Sequence, residues 1–293
     1  MDKLDKYFLD NSKKLTNKTI VVTGATGSLG YFVCYFLLLQ KAKIILVGRN
    51  EEKLKTSIKD LNKSFPKASL EYIVCDFANF KDVKCLAEEL ENRKIDILFN
   101  NAGCFHLPIK ITDEHDATFV TNFLSPLYLT EYLCQKNETI EIVQTSSLSY
   151  KFSKLNFNDI ETINTKNKTK RYANSKRILT LSSLYLQTKF DNKIFLSHPG
   201  VSATGLFSSQ KGEFSKFFNK IINPIIKILF MKPKKAALSI VMSVFNQYKK
   251  ETILAPRGLF QIWGYPKEYK LNFTNFRKFE IKNTIDFIDN FIK

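Results

Sequence analysis

The run Thr19-Ile-Val-Val-Thr23 leads into Gly24-Ala-Thr-Gly27-Ser-Leu-Gly30 and then the apolar stretch Tyr31–Leu39, and no other segment restricts the fold as much. β-Branched residues favour a strand, glycines at intervals of three permit a tight turn, and the apolar stretch has the length of a buried helix. A strand, a glycine turn and a helix in that order open a βαβ unit that can bind a dinucleotide. Glycine lets the turn approach a pyrophosphate, while the helix start beyond it offers free N–H groups and the positive end of a dipole. With only 10 glycines in 293 residues, three in this register are hard to read as loop filler. Gly24, Thr26, Gly27, Ser28, Leu29 and Gly30 are therefore candidate cofactor-binding residues.

Downstream, β-like runs alternate with helical ones: Ile44–Val47, Leu70–Cys75, Ile95–Phe99, Ile140–Thr145, Lys193–Ser197 and Thr252–Ala255. This alternation predicts an α/β chain, a doubly wound Rossmann-type domain with a mostly parallel seven-stranded sheet and helices on both faces. Ligands of such sheets bind at the carboxyl ends of the strands. No repeat or linker divides the chain, so residues 1–293 read as a single domain, with 256–293 as a C-terminal extension packed on it.

Tyr172 and Lys176 lie in Arg171-Tyr-Ala-Asn-Ser-Lys176, about one helical turn apart and so on one face. A phenol ordinarily loses its proton near pH ~10, too high for a base at neutral pH. An ammonium beside it favours the phenolate and makes the tyrosine a usable proton donor and acceptor. Alone the pair is weak, since tyrosine (12 residues) and lysine are common here.

Together these segments resemble the short-chain dehydrogenase/reductase family, over about residues 17–205, and further residues match in order. Asn100-Asn101-Ala102-Gly103 corresponds to the family's Asn-Asn-Ala-Gly segment after its fourth strand. Asp76, with Phe77 beside it, stands where the family places an aspartate against the adenine. Asn122 matches an active-site asparagine in mid-helix, and Ser147 a catalytic serine. Pro199, Gly200, Val201 and Thr204 match the Pro-Gly turn and the threonine that grips the nicotinamide amide. The resemblance implies hydride transfer between a nicotinamide and an alcohol or carbonyl substrate. Tyr172 would be the acid/base, Lys176 would lower its pKa and hold the nicotinamide ribose, Ser147 would donate to the substrate oxygen, and Asn122 would hold a relay water.

Two departures stand out. Ser28 occupies a position where the standard branch has glycine, which puts the usual phosphate geometry in question. The interval from Ser147 to Tyr172 is longer than in most members, as in the subgroup of retinol dehydrogenases and protochlorophyllide reductases.

Cofactor choice is read at Val47-Gly48-Arg49-Asn50. An NAD site places a carboxylate there for the ribose 2′-hydroxyl; here Arg49 can pair with a 2′-phosphate instead, which predicts NADP(H) over NAD(H). The competing reading is a solvated arginine at a helix start.

The net charge of +17 is concentrated in residues 200–293, with 16 basic and 6 acidic side chains. In this family the segment after Thr204 forms the variable pocket wall, so 206–232 is assigned as a substrate lid. Its stretch 214–232, rich in Phe, Ile and Lys, also fits general lysine-rich composition or a membrane-surface contact with anionic lipid, and Pro224 would kink any helix there. Basic residues on a nucleic-acid motif are absent, five cysteines without Cys-x-x-Cys and three histidines argue against a metal site, and no apolar run is long enough to span a bilayer. Met1–Lys18 lacks a signal-peptide core, so the expected location is cytoplasmic, with peripheral membrane association as the alternative. The segment Pro256–Gly264 completes either the pocket or a homo-oligomer interface. A non-catalytic NADP(H)-sensing regulator and a peripheral membrane protein stand beside the enzyme reading, although a sensor has no need of Ser147, Tyr172 and Lys176 together. Apolar residues around the lid lean toward a lipophilic substrate.

Overall fold

The computed structural model describes residues 1–105, 109, 111–112, 115–165, 167–202, 231–271 and 278–291. After a short amino-terminal helix α1 (Lys3–Asp10), the strands are β1 (Thr19–Thr23), β2 (Lys43–Gly48), β3 (Leu70–Val74) and β4 (Ile97–Asn100), then the two-residue strands β5 (Ile111–Thr112) and β6 (His115–Asp116). They continue with β7 (Glu141–Thr145), β8 (Ile194–Ser197), β9 (Thr252–Pro256) and β10 (Pro266–Lys270). The main sheet has the order β10-β9-β8-β7-β4-β1-β2-β3, and β5 pairs with β6 apart from it.

Its strands from β3 to β9 are parallel, and β10 runs antiparallel to β9 from Pro266 opposite Pro256 to Lys270 opposite Thr252. Among the described residues the sheet thus has eight strands where the apolar runs predicted seven. Pro266-Lys-Glu-Tyr-Lys carries no apolar run, because it lies at the sheet edge, where charged residues blunt further pairing and a leading proline costs no ladder bond.

The two-residue period of each strand sends neighbours to opposite faces. Val21, Ile45, Leu98 and Ile142 join one core with α4 (Phe80–Glu91), α6 (Ser125–Lys136) and α7 (Lys168–Lys189). Ile20, Val22, Ile44 and Phe99 join the other with α1, α2 (Ser28–Leu39), α3 (Glu51–Ser64) and α8 (Pro233–Val241). Burial on both faces is why these strands read as continuous Val/Ile/Leu runs. The closing helix α9 (Lys278–Phe291) packs on α7.

One helix departs from expectation in a useful place. Between α5 (Ala117–Phe119) and α6 the chain makes a π-helical turn, Val120–Leu124, centred on Asn122. Pro126, early in α6, has no N–H to give the carbonyl four residues back, so the regular α-ladder cannot run through Asn122. Asn122 therefore lies in a local bulge and not in the middle of a regular helix.

Candidate active site

The glycine turn is built against the end of β4. The Thr23 hydroxyl donates to the Phe99 carbonyl (3.2 Å) and accepts the N–H groups of Asn101 (3.0 Å) and Ala102 (2.9 Å). The Asn101 side chain returns a bond to the Thr23 carbonyl at 2.9 Å. Gly24 has φ of +65°, and a Cβ there would stand 2.8 Å from the Ala102 Cα. At Gly30 a Cβ would meet the Gly24 carbonyl at 2.3 Å. Both positions therefore exclude side chains. Thr23 was not singled out in the sequence, although its place just before the first glycine was the available signal.

Gly27 precedes α2 without a side-chain cap, and Ser28 is the helix's first residue. The open N–H groups of this turn, beside space cleared of side chains, fit a pyrophosphate. Thr26 lies against Gly48 at the end of β2, where Arg49 is exposed and makes no hydrogen bond or ion pair among the described residues. Asp76, half-buried beyond β3, accepts the Ala78 N–H at 3.1 Å while its own N–H donates to Asp82. Phe77 belongs to the buried core, so its side chain is not available to a ligand.

Asn122, Ser147, Tyr172 and Lys176 converge at the carboxyl edge of the sheet. The Asn122 amide accepts the Cys104 N–H (2.8 Å) and donates to the Cys104 carbonyl (2.9 Å) and the Ser175 hydroxyl (3.0 Å). A Cβ on Gly103 would lie 3.3 Å from Asn122 Oδ1 and 3.5 Å from Lys176 Nζ, so both side chains close on that residue. Lys176 is buried and donates to the Thr145 carbonyl at 2.9 Å. Ser147 caps the short 3₁₀ turn Leu148–Phe152 and hydrogen-bonds the Tyr172 phenol. Phe105 stands edge-on to the Tyr172 ring, with centroids 4.7 Å apart.

Electrostatics differ from the sequence expectation. Burial pushes Tyr172 up to about 12, with the Ser147 hydrogen bond pulling the other way. Burial also pulls Lys176 down to about 8. The ammonium expected to depress the phenol is itself desolvated and bonded to a backbone carbonyl, so burial wins at both groups.

The turn Pro199–Val201 follows β8 and faces the same edge. Gly200 has φ of +73°, and a Cβ there would meet the Ile262 carbonyl at 2.4 Å. Thr204, the lid 206–232 through residue 230, and most of the stretch 214–232 lie outside the described residues. Among the described residues no cluster of His, Cys, Asp and Glu could hold a metal, and no helix is long and apolar enough to cross a membrane.

A family model described as short chain dehydrogenase matches residues 18–157. The chain belongs to the short-chain dehydrogenase/reductase family. It is accordingly an oxidoreductase of CH–OH and C=O groups that uses NAD(P). An uncharacterized oxidoreductase of Schizosaccharomyces pombe is 28% identical over 282 residues, covering 87% of this chain and 82% of the relative. Human retinol dehydrogenase 13 is 28% identical over 233 residues, covering 76% and 70%, in keeping with the subgroup suggested by the long Ser147–Tyr172 interval. Among solved structures, an uncharacterized protein from Mycobacterium Paratuberculosis superposes with a TM-score of 0.72 at 17% identity, over 95% of this chain and 94% of that one. That likeness places the fold.

Proposed function

We propose that this short-chain dehydrogenase/reductase is NADP(H)-dependent and acts on the alcohol or carbonyl group of a lipophilic small molecule, with Tyr172 as general acid/base. The observation that carries the reading is the convergence of Ser147, Tyr172, Lys176 and Asn122 at the strand ends that also bear the glycine turn. Supporting the cofactor preference is Arg49 after β2, unpaired among the described residues, where a guanidinium can take a 2′-phosphate bidentately. The lean toward a lipophilic substrate draws on the retinol dehydrogenase relative and on Phe105, edge-on to the Tyr172 ring.

A nicotinamide dinucleotide held in this cradle supplies the hydride. The chain's own groups handle the oxygen and its proton. Ser147, already hydrogen-bonded to Tyr172, is set to donate to the substrate oxygen as negative charge develops there. Tyr172, held in its neutral form by burial, gives its proton to that oxygen in the reductive direction. Lys176, drawn down to about 8, titrates close enough to neutrality to pass a proton onward. Asn122, fixed from both sides by Cys104, holds the position beside Lys176 through which that proton leaves.

The test is a titration with NADPH and NADH, read by the blue shift of nicotinamide fluorescence, on wild type and Arg49→Asp. Expected are tighter binding of NADPH by wild type and reversal or loss of that preference in the variant. An unchanged preference in Arg49→Asp would remove the arginine argument. Tyr172→Phe should bind the same cofactor yet lose most turnover, whereas a non-catalytic sensor would show no turnover in either protein.

A further inference from the structure

Outside the groups just assigned, one polar side chain joins two parts of the site. Gln261 lies in the loop between β9 and β10, and its amide oxygen accepts from two donors. Lys151 Nζ, in the 3₁₀ turn directly after Ser147, donates to it at 2.6 Å. The second donor is His198 Nε2, at 3.0 Å. His198 directly follows β8 and is fully buried, and its Nδ1 accepts the Gly200 N–H at 3.1 Å. That bond leaves the ring proton on Nε2, facing Gln261.

The loop also grips the turn through its backbone. The Val201 N–H donates to the Ile262 carbonyl at 3.0 Å, the same carbonyl that a Gly200 Cβ would strike. The loop is closed by the Gly258 N–H to the Trp263 carbonyl (2.7 Å) and the Arg257 N–H to the Tyr265 carbonyl (2.8 Å). Phe260 (φ 52°) and Gln261 (φ 63°) both adopt left-handed backbone, which non-glycine residues keep only where surrounding contacts hold them. With this backbone the Gln261 amide oxygen lies between Lys151 and His198.

We infer that Gln261 is a positioning residue: it ties the Ser147 turn to the Pro199–Gly200 turn and so sets the nicotinamide end of the dinucleotide relative to the Ser147 hydroxyl. This rests on the dinucleotide reading given above. The tie would act on one end of the ligand only, since Arg49 and Asp76, the residues that would hold the adenosine end, follow β2 and β3 at the far side of the sheet. Removing it loosens the nicotinamide end and leaves the adenosine end as it was.

The experiment compares wild type, Gln261→Met and Gln261→Glu. Methionine keeps the length and removes the acceptor; glutamate keeps an acceptor oxygen for both donors. Two affinities are measured for each protein: for the reduced dinucleotide that wild type prefers, by nicotinamide fluorescence, and for the matching ADP-ribose, which lacks nicotinamide, by calorimetry. Expected is a dinucleotide affinity about tenfold weaker in Gln261→Met, the order expected for a lost charge-assisted bond. ADP-ribose affinity should be unchanged, and Gln261→Glu should restore dinucleotide binding. Wild type binding both ligands, with Gln261→Met unaffected or weakened equally for both, overturns the proposal alone. Wild type binding neither ligand overturns the dinucleotide reading and the proposal with it.

Discussion

At the scale of single residues, burial decides the chemistry more than neighbouring charge does. His198 is the clearest case: fully buried, it is drawn down to about 4 from an ordinary 6.5 by desolvation, with Lys151 disfavouring a second positive charge nearby. As pH falls, the unfolded chain takes up the proton near 6.5 while the folded protein resists until about 4. Unfolding is therefore favoured progressively across that window, and this contribution to stability is complete only above about 6.5. The expected outcome is a Tm that falls between pH 7 and pH 5, with the loss of stability reaching about 2 kcal/mol at pH 5. His198→Gln should be less stable than wild type at pH 7 yet show a flatter pH profile, and equal slopes in the two proteins would contradict the assignment. The histidine was readable in the sequence only as a residue at a strand end. Its two hydrogen bonds depend on Gly200 and Gln261, the second of them 63 positions away.

Among elements, the join between α7 and α9 matters most for the site. Arg177, next to Lys176, meets the Glu280 carboxylate through Nη2 (2.6 Å) and Nε (3.2 Å), and both side chains are buried. Glu280 also accepts the Leu155 N–H at 2.9 Å, and Arg177 donates to the Tyr150 carbonyl at 3.0 Å. One buried ion pair thus fixes α9 to α7 and to the chain leaving Ser147. Breaking such a pair from one side leaves a charge without compensation and costs about 3–5 kcal/mol. Glu280→Gln should lower the unfolding free energy by that order, read as a lower denaturant midpoint with the m-value unchanged; a loss near that of a surface substitution would mean the pair contributes little. The pairing could not be read from sequence because the partners are 103 residues apart and each looks like an ordinary charged residue in a helix. The edge strand β10 and the π-turn at Asn122 escaped for a related reason. One carries no apolar period, and the other depends on a proline four residues downstream.

For the whole molecule, the sheet separates two cores, and each draws on both ends of the chain: α1 and α8 meet α2 on one face, while α9 meets α7 on the other. We propose from this that residues 256–291 belong to the same cooperative unit as the glycine turn. The chain's one tryptophan, Trp263, sits in the loop that grips Gly200 and reports on it directly. Urea unfolding followed by Trp263 fluorescence and by far-UV circular dichroism should therefore coincide. An earlier fluorescence transition would show that the carboxy-terminal segment comes away before the sheet.

The features legible along the chain are those written in local pattern. The strand–glycine–helix start, the alternation of apolar runs, the Asn-Asn-Ala-Gly segment and the Tyr172–Lys176 spacing each depend on residues a few positions apart, and together they were enough for the fold and the family. Tertiary structure alone decided the sheet's eighth strand, the buried state that sets Tyr172 and Lys176 against the expected pKa shift, and the ties Arg177–Glu280 and Gln261–His198. Each of those depends on desolvation or on a partner brought close only by folding, and neither leaves a periodic trace along the chain.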